Sequence, residues 1–345
     1  MASILKSSSI ESRHAYSWRV ITEVFMSEET IEKTFQVGTP AHLVISNVRG
    51  SITIQPGEMG VIEVKALKHG NSENASSVIE MTQDSEGTVR VETRANVAFF
   101  GLLSHPAKVE YTVRVPQSTH IDASCISSSL EVKSLSGSFK LKTISGDMDV
   151  AELAGPFKLK AVSGDISGSH LVGVLELGTV SGRVKLLQSE FPTADASTVS
   201  GDLILQTPIS TGPYNFSSVS GSVRMLVPPD TRCNAELNSV SGSIRSSLPA
   251  TSSSIGHGLK VTQVGGGGTA VRLKSVSGGL SFEVEGLPAT TVESSADSSS
   301  SAAPTPPTPP AAPPPSPLST AEILEHIERG EMTVDEAIKL MKGQS

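Results

Sequence analysis

The chain is poor in the residues that most binding and catalytic chemistry draws on. It has one Trp, three Tyr, nine Phe and two Cys in 345 residues. Two cysteines far apart in sequence, Cys125 and Cys233, cannot build a disulfide framework and read as small core residues. Charged residues are only 18% and the net charge is -8. That leaves no global basic footprint, so no nucleic-acid partner is expected. No run of about 18 apolar residues occurs, and the greasiest stretch, "VAFFGLL" at 97–103, is too short to cross a bilayer. The opening "MASILKSSSIESRHAYSWRV" lacks an apolar core followed by a small-residue cleavage site, so the expected location is cytoplasmic.

Catalytic signatures are missing too. The eight histidines are scattered and none stands in an HExxH pattern. "VGGGGTA" at 264–270 has neither the Lys-Ser/Thr of a P-loop nor the spacing of a dinucleotide turn, and there is no G-x-S-x-G elbow. No cofactor or metal is expected.

What the sequence does have is a clock. Gly137, Gly146, Gly155, Gly164, Gly173 and Gly182 are nine residues apart, and the series continues at Gly201, Gly221, Gly242 and Gly278 with spacings of 19, 20, 21 and 36. A fixed period signals a stacked repeat architecture. After each glycine the residues alternate: Phe139 and Leu141 against Lys140 and Lys142, then Phe157 and Leu159 against Lys158 and Lys160. These are half-buried strands. Each is too short to bury its apolar face alone, so the fold expected is an elongated all-β solenoid with coils of 18–21 residues. Ser-Gly marks the corners, where glycine allows positive φ or close backbone approach. The branched residue before it, Ile144, Val162, Val180, Val199, Val219, Val240 or Val276, is expected to point inward.

The upstream run "TFQVGTPAHLVISNVRGSITIQPGEMGVIEVKALKHG" alternates in the same way, which places the β domain at 35–286 behind an N-terminal segment or cap at 1–34. Residues 287–318 are Ser- and Pro-rich, a linker whose Pro304–Pro317 part favours extended polyproline II at about 3.1 Å per residue. The tail, 319–345, returns to helical spacing. Ser319 with Glu322 and Thr333 with Glu336 fit capping boxes, and Gly330 separates two short helices. Their apolar residues, Ile323, Leu324 and Ile327, then Ala337, Ile338, Leu340 and Met341, are too few to hold an isolated module. The pair is expected to dock on a protein partner or on another copy.

"TFQV", "SNVRGSITIQP", "YTVRVP" and the repeated "SGD" and "SGS" units together resemble the bacterial adhesin-like, or toastrack, family of β-solenoid repeat domains. The tail resembles the short helix-pair modules described as SHOCT-like. The resemblance implies a binding scaffold, linked in such proteins to envelope stress or adhesion, with no catalytic residues to carry over.

Two constellations remain as candidate sites. Asp147, Asp165 and Asp202 each follow Ser-Gly, and stacked carboxylates could serve a β-helix lyase or hydrolase. Asp is also a preferred turn residue. Three residues after their glycines come Lys140, Lys158, Lys185, Arg224 and Arg245, which in stacked coils would line a basic strip for an anionic polymer or a membrane surface. The leading reading is a non-enzymatic scaffold; the alternative is a carbohydrate-active enzyme using the aspartates.

Overall fold

The structure is a computed structural model that describes residues 28–69, 77–95, 107–247, 250–255, 259–264, 268–286 and 290–291. The Pro-rich linker and the tail, with its docking residues Ile323, Leu324, Ile327, Ile338 and Met341, lie outside the described residues. So does the N-terminal segment up to residue 27.

Among the described residues the regular structure is all β, as the alternation predicts. The chain forms β1 (Glu28–Gln36), β2 (Ala41–Pro56), β3 (Val61–His69), β4 (Ser77–Gln83), β5 (Val89–Ala95), β6 (Lys108–Val115) and β7 (Thr119–Ser136). The repeats follow as β8 (Phe139–Ser145), β9 (Met148–Ala154), β10 (Phe157–Ser163), β11 (Ile166–Ser169), β12 (Leu175–Ser181), β13 (Val184–Leu187), β14 (Ala194–Ser200) and β15 (Leu203–Gln206). The far end holds β16 (Tyr214–Ser218), β17 (Val223–Val227), β18 (Cys233–Ser239), β19 (Ile244–Ser246), β20 (Ala250–Ile255), β21 (Leu259–Val264), β22 (Thr269–Ser275), β23 (Leu280–Val284) and β24 (Thr290–Thr291).

Nine residues is half a coil. Alternate strands stack in parallel and in register: β8, β10, β12, β14 and β16 on a first sheet, β9, β11, β13, β15 and β17 on a second. Each coil therefore contributes one strand to each sheet, and the apolar phase of both points between them. Phe139 and Phe157 stack there with ring centroids 5.5 Å apart, and Phe157 meets Phe191 edge-on. The long strands β2 and β7 bend from one sheet to the other. Where β2 crosses, buried Asn47 donates to the Val109 carbonyl at 2.8 Å and accepts from Thr93 Oγ1, which bonds the Tyr111 hydroxyl. This network satisfies the polar atoms that the crossing brings inside.

The corner glycines form two columns. Gly137, Gly155 and Gly173 stack at one edge, while Gly146, Gly164, Gly182, Gly201, Gly221, Gly278 and Gly242 stack at the other. At Gly155 a Cβ would lie 1.8 Å from the Gly137 carbonyl oxygen, and at Gly201 2.0 Å from that of Gly182. Close approach of successive coils therefore demands glycine at both edges.

One expectation is corrected, and the order of the coils departs from the order of the chain. The branched residues before Ser-Gly are not uniformly inward: the period of two that buries Phe139 and Leu141 continues to Thr143 and the equivalent Ala161, Thr179, Thr198, Ser218, Ser239 and Ser275, all buried, whereas of the branched residues only Val162 and Val180 are buried. Val219, Val240 and Val276 are 42%, 45% and 50% exposed. Nor do the coils stack in sequence order. β22 lies between β16 and β18, and β23 between β17 and β19, so the last coil in sequence is inserted one place before the end. The long excursion between Gly242 and Gly278 makes this possible: β21 pairs antiparallel with β18, β20 pairs with β21, and the chain then returns to fill the gap.

Candidate functional site

The three aspartates are coil clips. Asp147 Oδ1 accepts the amide of Asp165 at 3.0 Å, Asp165 Oδ1 that of Arg183 at 2.7 Å, and Asp202 Oδ1 that of Ser222 at 3.0 Å. Each carboxylate thus bonds the equivalent residue of the next coil. A charged acceptor on a backbone amide is a strong hydrogen bond, and it satisfies a donor that the corner would leave unpaired. The geometry commits these groups to the stack.

The five cations fall on two faces, because their glycines belong to different columns. Lys140 and Lys158 are neighbours on the outer face of the first sheet, in the row Asp122, Lys140, Lys158, Glu176, Asp195 and Asn215. Lys140 pairs with Asp122, and Lys158 with Glu176 at 2.7 Å. Lys185, Arg224 and Arg245 lie on the second sheet, separated by Ile204 and Ser281. Arg224 meets Glu283 at 3.4 Å. At the other end of that row stand Glu131 and Asp149. Desolvation, with Glu131 and Asp147 adding to it, holds the Asp149 carboxyl above the usual carboxylate range.

Next to the charged row, the first sheet carries Ser124, Lys142, Lys160, Gly178, Ser197, Ser217, Lys274 and Asn238. The missing side chain at Gly178 leaves a groove of about 490 Å³, lined by Lys160, Glu176, Asp195, Ser197 and Asn215. Val174, Leu177 and Pro213 line it as well, so the groove is of mixed polarity and carries both signs of charge. A second groove of about 430 Å³ lies near the crossing of β2, between Val48, Ile126, Lys142 and Ile144, over Asn47 and Cys125. Burial pushes the Cys125 thiol up to about 12, partly offset by its hydrogen bond with Ser128, so this sulfur is a core residue and not a nucleophile. Cys233 is likewise buried and free, its thiol also raised by desolvation.

The feature that phase reasoning missed is an external aliphatic ladder. One step beyond the buried Cys125, Thr143, Ala161, Thr179, Thr198, Ser218, Ser275 and Ser239 of successive coils come Ile126, Ile144, Val162, Val180, Val199, Val219, Val276 and Val240; of these Ile126, Val219, Val276 and Val240 are about half exposed, and Val162 and Val180 are buried. The same alternation that identified the strands, carried two residues further, would have placed it outside.

Among the described residues no group of three His, Cys, Asp or Glu is arranged to hold a metal ion, and no helix is long and apolar enough to cross a membrane. No curated protein matches the sequence. Similar solved structures include a candidate adhesin from Bacteroides fragilis, at 11% identity over 75% of this chain and 98% of that one, with a TM-score of 0.43. A candidate adhesin from Parabacteroides distasonis matches at 11% over 74% and 97%, with a TM-score of 0.37. A candidate lipid-binding protein from the same species matches at 11% over 73% and 96%, with a TM-score of 0.28. The family described as Toastrack DUF4097 matches residues 41–283, from the start of β2 into β23, and therefore takes in both glycine columns and the inserted coil. The protein belongs to the Toastrack DUF4097 family.

Proposed function

We propose that the protein is a non-enzymatic scaffold that binds a protein partner along the ladder edge of its first sheet, with the C-terminal helix pair as its docking or oligomerisation module. One observation carries this reading. Val219, Val276 and Val240 each follow the last paired residue of β16, β22 and β18, so they stack on successive coils at a pitch of about 4.8 Å, and all three are roughly half exposed. β-Branched side chains have few rotamers, so such a row is a stiff apolar edge that costs little entropy to cover.

The enzymatic alternative required free carboxylates, and Asp147, Asp165 and Asp202 are each bonded to a backbone amide of the next coil. The five cations do not enter the reading, because they are divided between two sheets and three of them have carboxylate partners. The test is affinity capture with the full chain, comparing wild type with a variant carrying Val219→Lys, Val276→Lys and Val240→Lys. These positions face outward, so the fold should be retained. Partners that bind wild type and are lost from the variant support the reading; identical captured sets contradict it. Turnover of polygalacturonate or alginate by wild type, abolished by alanine at the three aspartates, would replace the scaffold with the enzyme.

A further inference from the structure

The two ends of the stack are finished differently. At the near end, among the described residues, the last strand of the second sheet is β1, which pairs only with β3, and the last strand of the first sheet is β4, which pairs only with β5. Side chains close the gap between them: Lys33 Nζ donates to the Met81 carbonyl and Gln83 Nε2 to the Gln36 carbonyl, both at 2.7 Å. β1 carries Glu28, Glu29, Glu32 and Lys33, and β4 carries Glu80. Charged side chains on an end strand oppose pairing with another chain. At the far end the first sheet finishes in the hairpin of β21 and β20, in register from Ala250 opposite Val264 to Ile255 opposite Leu259. β20 pairs with β21 and with no other described strand. Its sequence, "ATSSSI", contains no charge and no proline. Alternate residues of such a strand turn their N–H and C=O groups away from the sheet, so β20 presents a row of unpaired backbone groups without the charges that guard the near end.

We infer that β20 is a self-association strand: two copies of the chain join far end to far end, their β20 strands pairing antiparallel so that the two first sheets run on as one. Charge selects a second copy as the occupant. An uncharged strand offers an unrelated partner no charge pattern to recognise, whereas self-pairing needs none. It brings only Ala, Thr, Ser and Ile opposite one another, with no like charges, and Ser and Thr can hydrogen-bond across strands. The near end does not substitute, since its end strands are charged and spend the Gln36 and Met81 carbonyls on each other's side chains. The assembly therefore closes as a dimer instead of growing into a filament. Two-fold symmetry also fixes its centre. The axis stands normal to the sheet and keeps each side chain on its own face, so facing residues are an even number of positions apart, and overlap is greatest when Ser252 meets Ser252 or Ser253 meets Ser253. One six-residue strand buries far less than the roughly 1,600 Å² of a standard interface, so the dimer is weak and depends on concentration. The inference is independent of partner binding along the ladder and of the C-terminal helices.

The experiment uses the full chain. Facing residues of paired antiparallel strands stand about 4.5–5.5 Å apart at Cα, within the span of a disulfide. Ser252→Cys and Ser253→Cys are therefore oxidised separately, with Glu32→Cys on β1 as the control; the native Cys125 and Cys233 are buried and do not compete. The expected product is a disulfide-linked dimer from one of the two serine positions or from both, in at least about tenfold the yield of the control. If neither position links above the control, the inference is overturned. Sedimentation velocity supplies a second measurement. The wild-type mass should rise towards twice that of the monomer as concentration increases, and Ser252→Lys with Ser253→Lys, which sets like charges opposite one another, should weaken the association at least about tenfold. Equal masses for wild type and the lysine variant at every concentration would also overturn it, whether both stay monomeric or both associate elsewhere. Should the lysine variant fail to fold, the two cysteine variants decide alone.

Discussion

Replacing Gly201 by alanine separates the two reasons a chain can need glycine. Gly201 does not adopt a left-handed φ, but a Cβ there would sit 2.0 Å from the Gly182 carbonyl oxygen. Ordinary contact requires more than about 3 Å, so the coils must part locally by about 1 Å. Just beyond that corner, Val184 N donates to the Asp202 carbonyl and Leu203 N to the Ser222 carbonyl, both at 2.8 Å. Parting by about 1 Å carries the first of these beyond hydrogen-bond range and weakens the second. Each buried bond lost costs about 1 kcal/mol net, and the packing of Val184 on Leu203 loosens as well, for a total of about 3 kcal/mol. Gly87 is the control. It has φ of +84° and nothing within 4 Å of where an added methyl group would stand, so Gly87→Ala should cost only the left-handed backbone term of about 1 kcal/mol. Urea unfolding followed by far-UV circular dichroism measures both. If Gly201→Ala proves no more destabilising than Gly87→Ala, close approach of coils is not what the repeated glycine does.

Other outcomes follow from single contacts. Asp165→Ala removes the acceptor of the Arg183 amide and should cost about 1 kcal/mol in the same urea assay, whereas Asp165→Asn, which keeps an oxygen there, should cost less. Cys125 and Cys233 should resist a thiol reagent at pH 8 in the native protein and react fully in urea, read by mass spectrometry; rapid native labelling would contradict their burial. Asp149 has a raised folded-state pKa, so its favourable contribution is present below the ordinary carboxylate range and is lost as pH rises through the folded value. Asp149→Asn should therefore melt higher than wild type at pH 7, with the gap closing near pH 3. An equal gap at both pH values would contradict the assigned environment.

Much of the fold was legible because local rules and global packing agree. Phe139, Leu141, Phe157 and Leu159 announced both the strands and their inward phase, and the nine-residue clock announced the stack. What escaped had a physical cause in each instance. Val219, Val240 and Val276 were read as core because branched apolar residues usually are, yet the alternation starting at Phe139 places Thr143 and its equivalents inside. Those small residues fill the narrow corner; Thr143 Oγ1 reaches the Gly146 carbonyl at 3.2 Å, and Ser239 Oγ accepts the Gly242 amide at 2.9 Å. The cationic strip was divided because one offset after glycine leads to opposite sheets when each coil holds two strands. The order of the last coils left no local trace, since β22 and β23 present the same pattern of inward and outward residues wherever they are inserted. A column of non-glycine left-handed residues, Ser134, Glu152, His170 and Gln188, repeats at 18-residue spacing, and nothing in their side-chain types marked it.

The inserted coil supplies the most direct test of the stacked architecture. Gly279 lies between Ser222 and Ser243: a Cβ at 279 would be 3.7 Å from Ser222 Oγ and 3.5 Å from Ser243 Oγ. Neighbouring strands stand about 4.8 Å apart, within the span of a disulfide, while Ser222 and Ser243 are two strands apart at roughly 9.6 Å, beyond it. Oxidation of paired cysteine variants should therefore link Ser222→Cys with Gly279→Cys, and Ser243→Cys with Gly279→Cys, in high yield, and leave Ser222→Cys with Ser243→Cys unlinked. Efficient linkage of 222 to 243, with none of either to 279, would mean that the coils stack in sequence order and that the inserted-coil architecture is wrong.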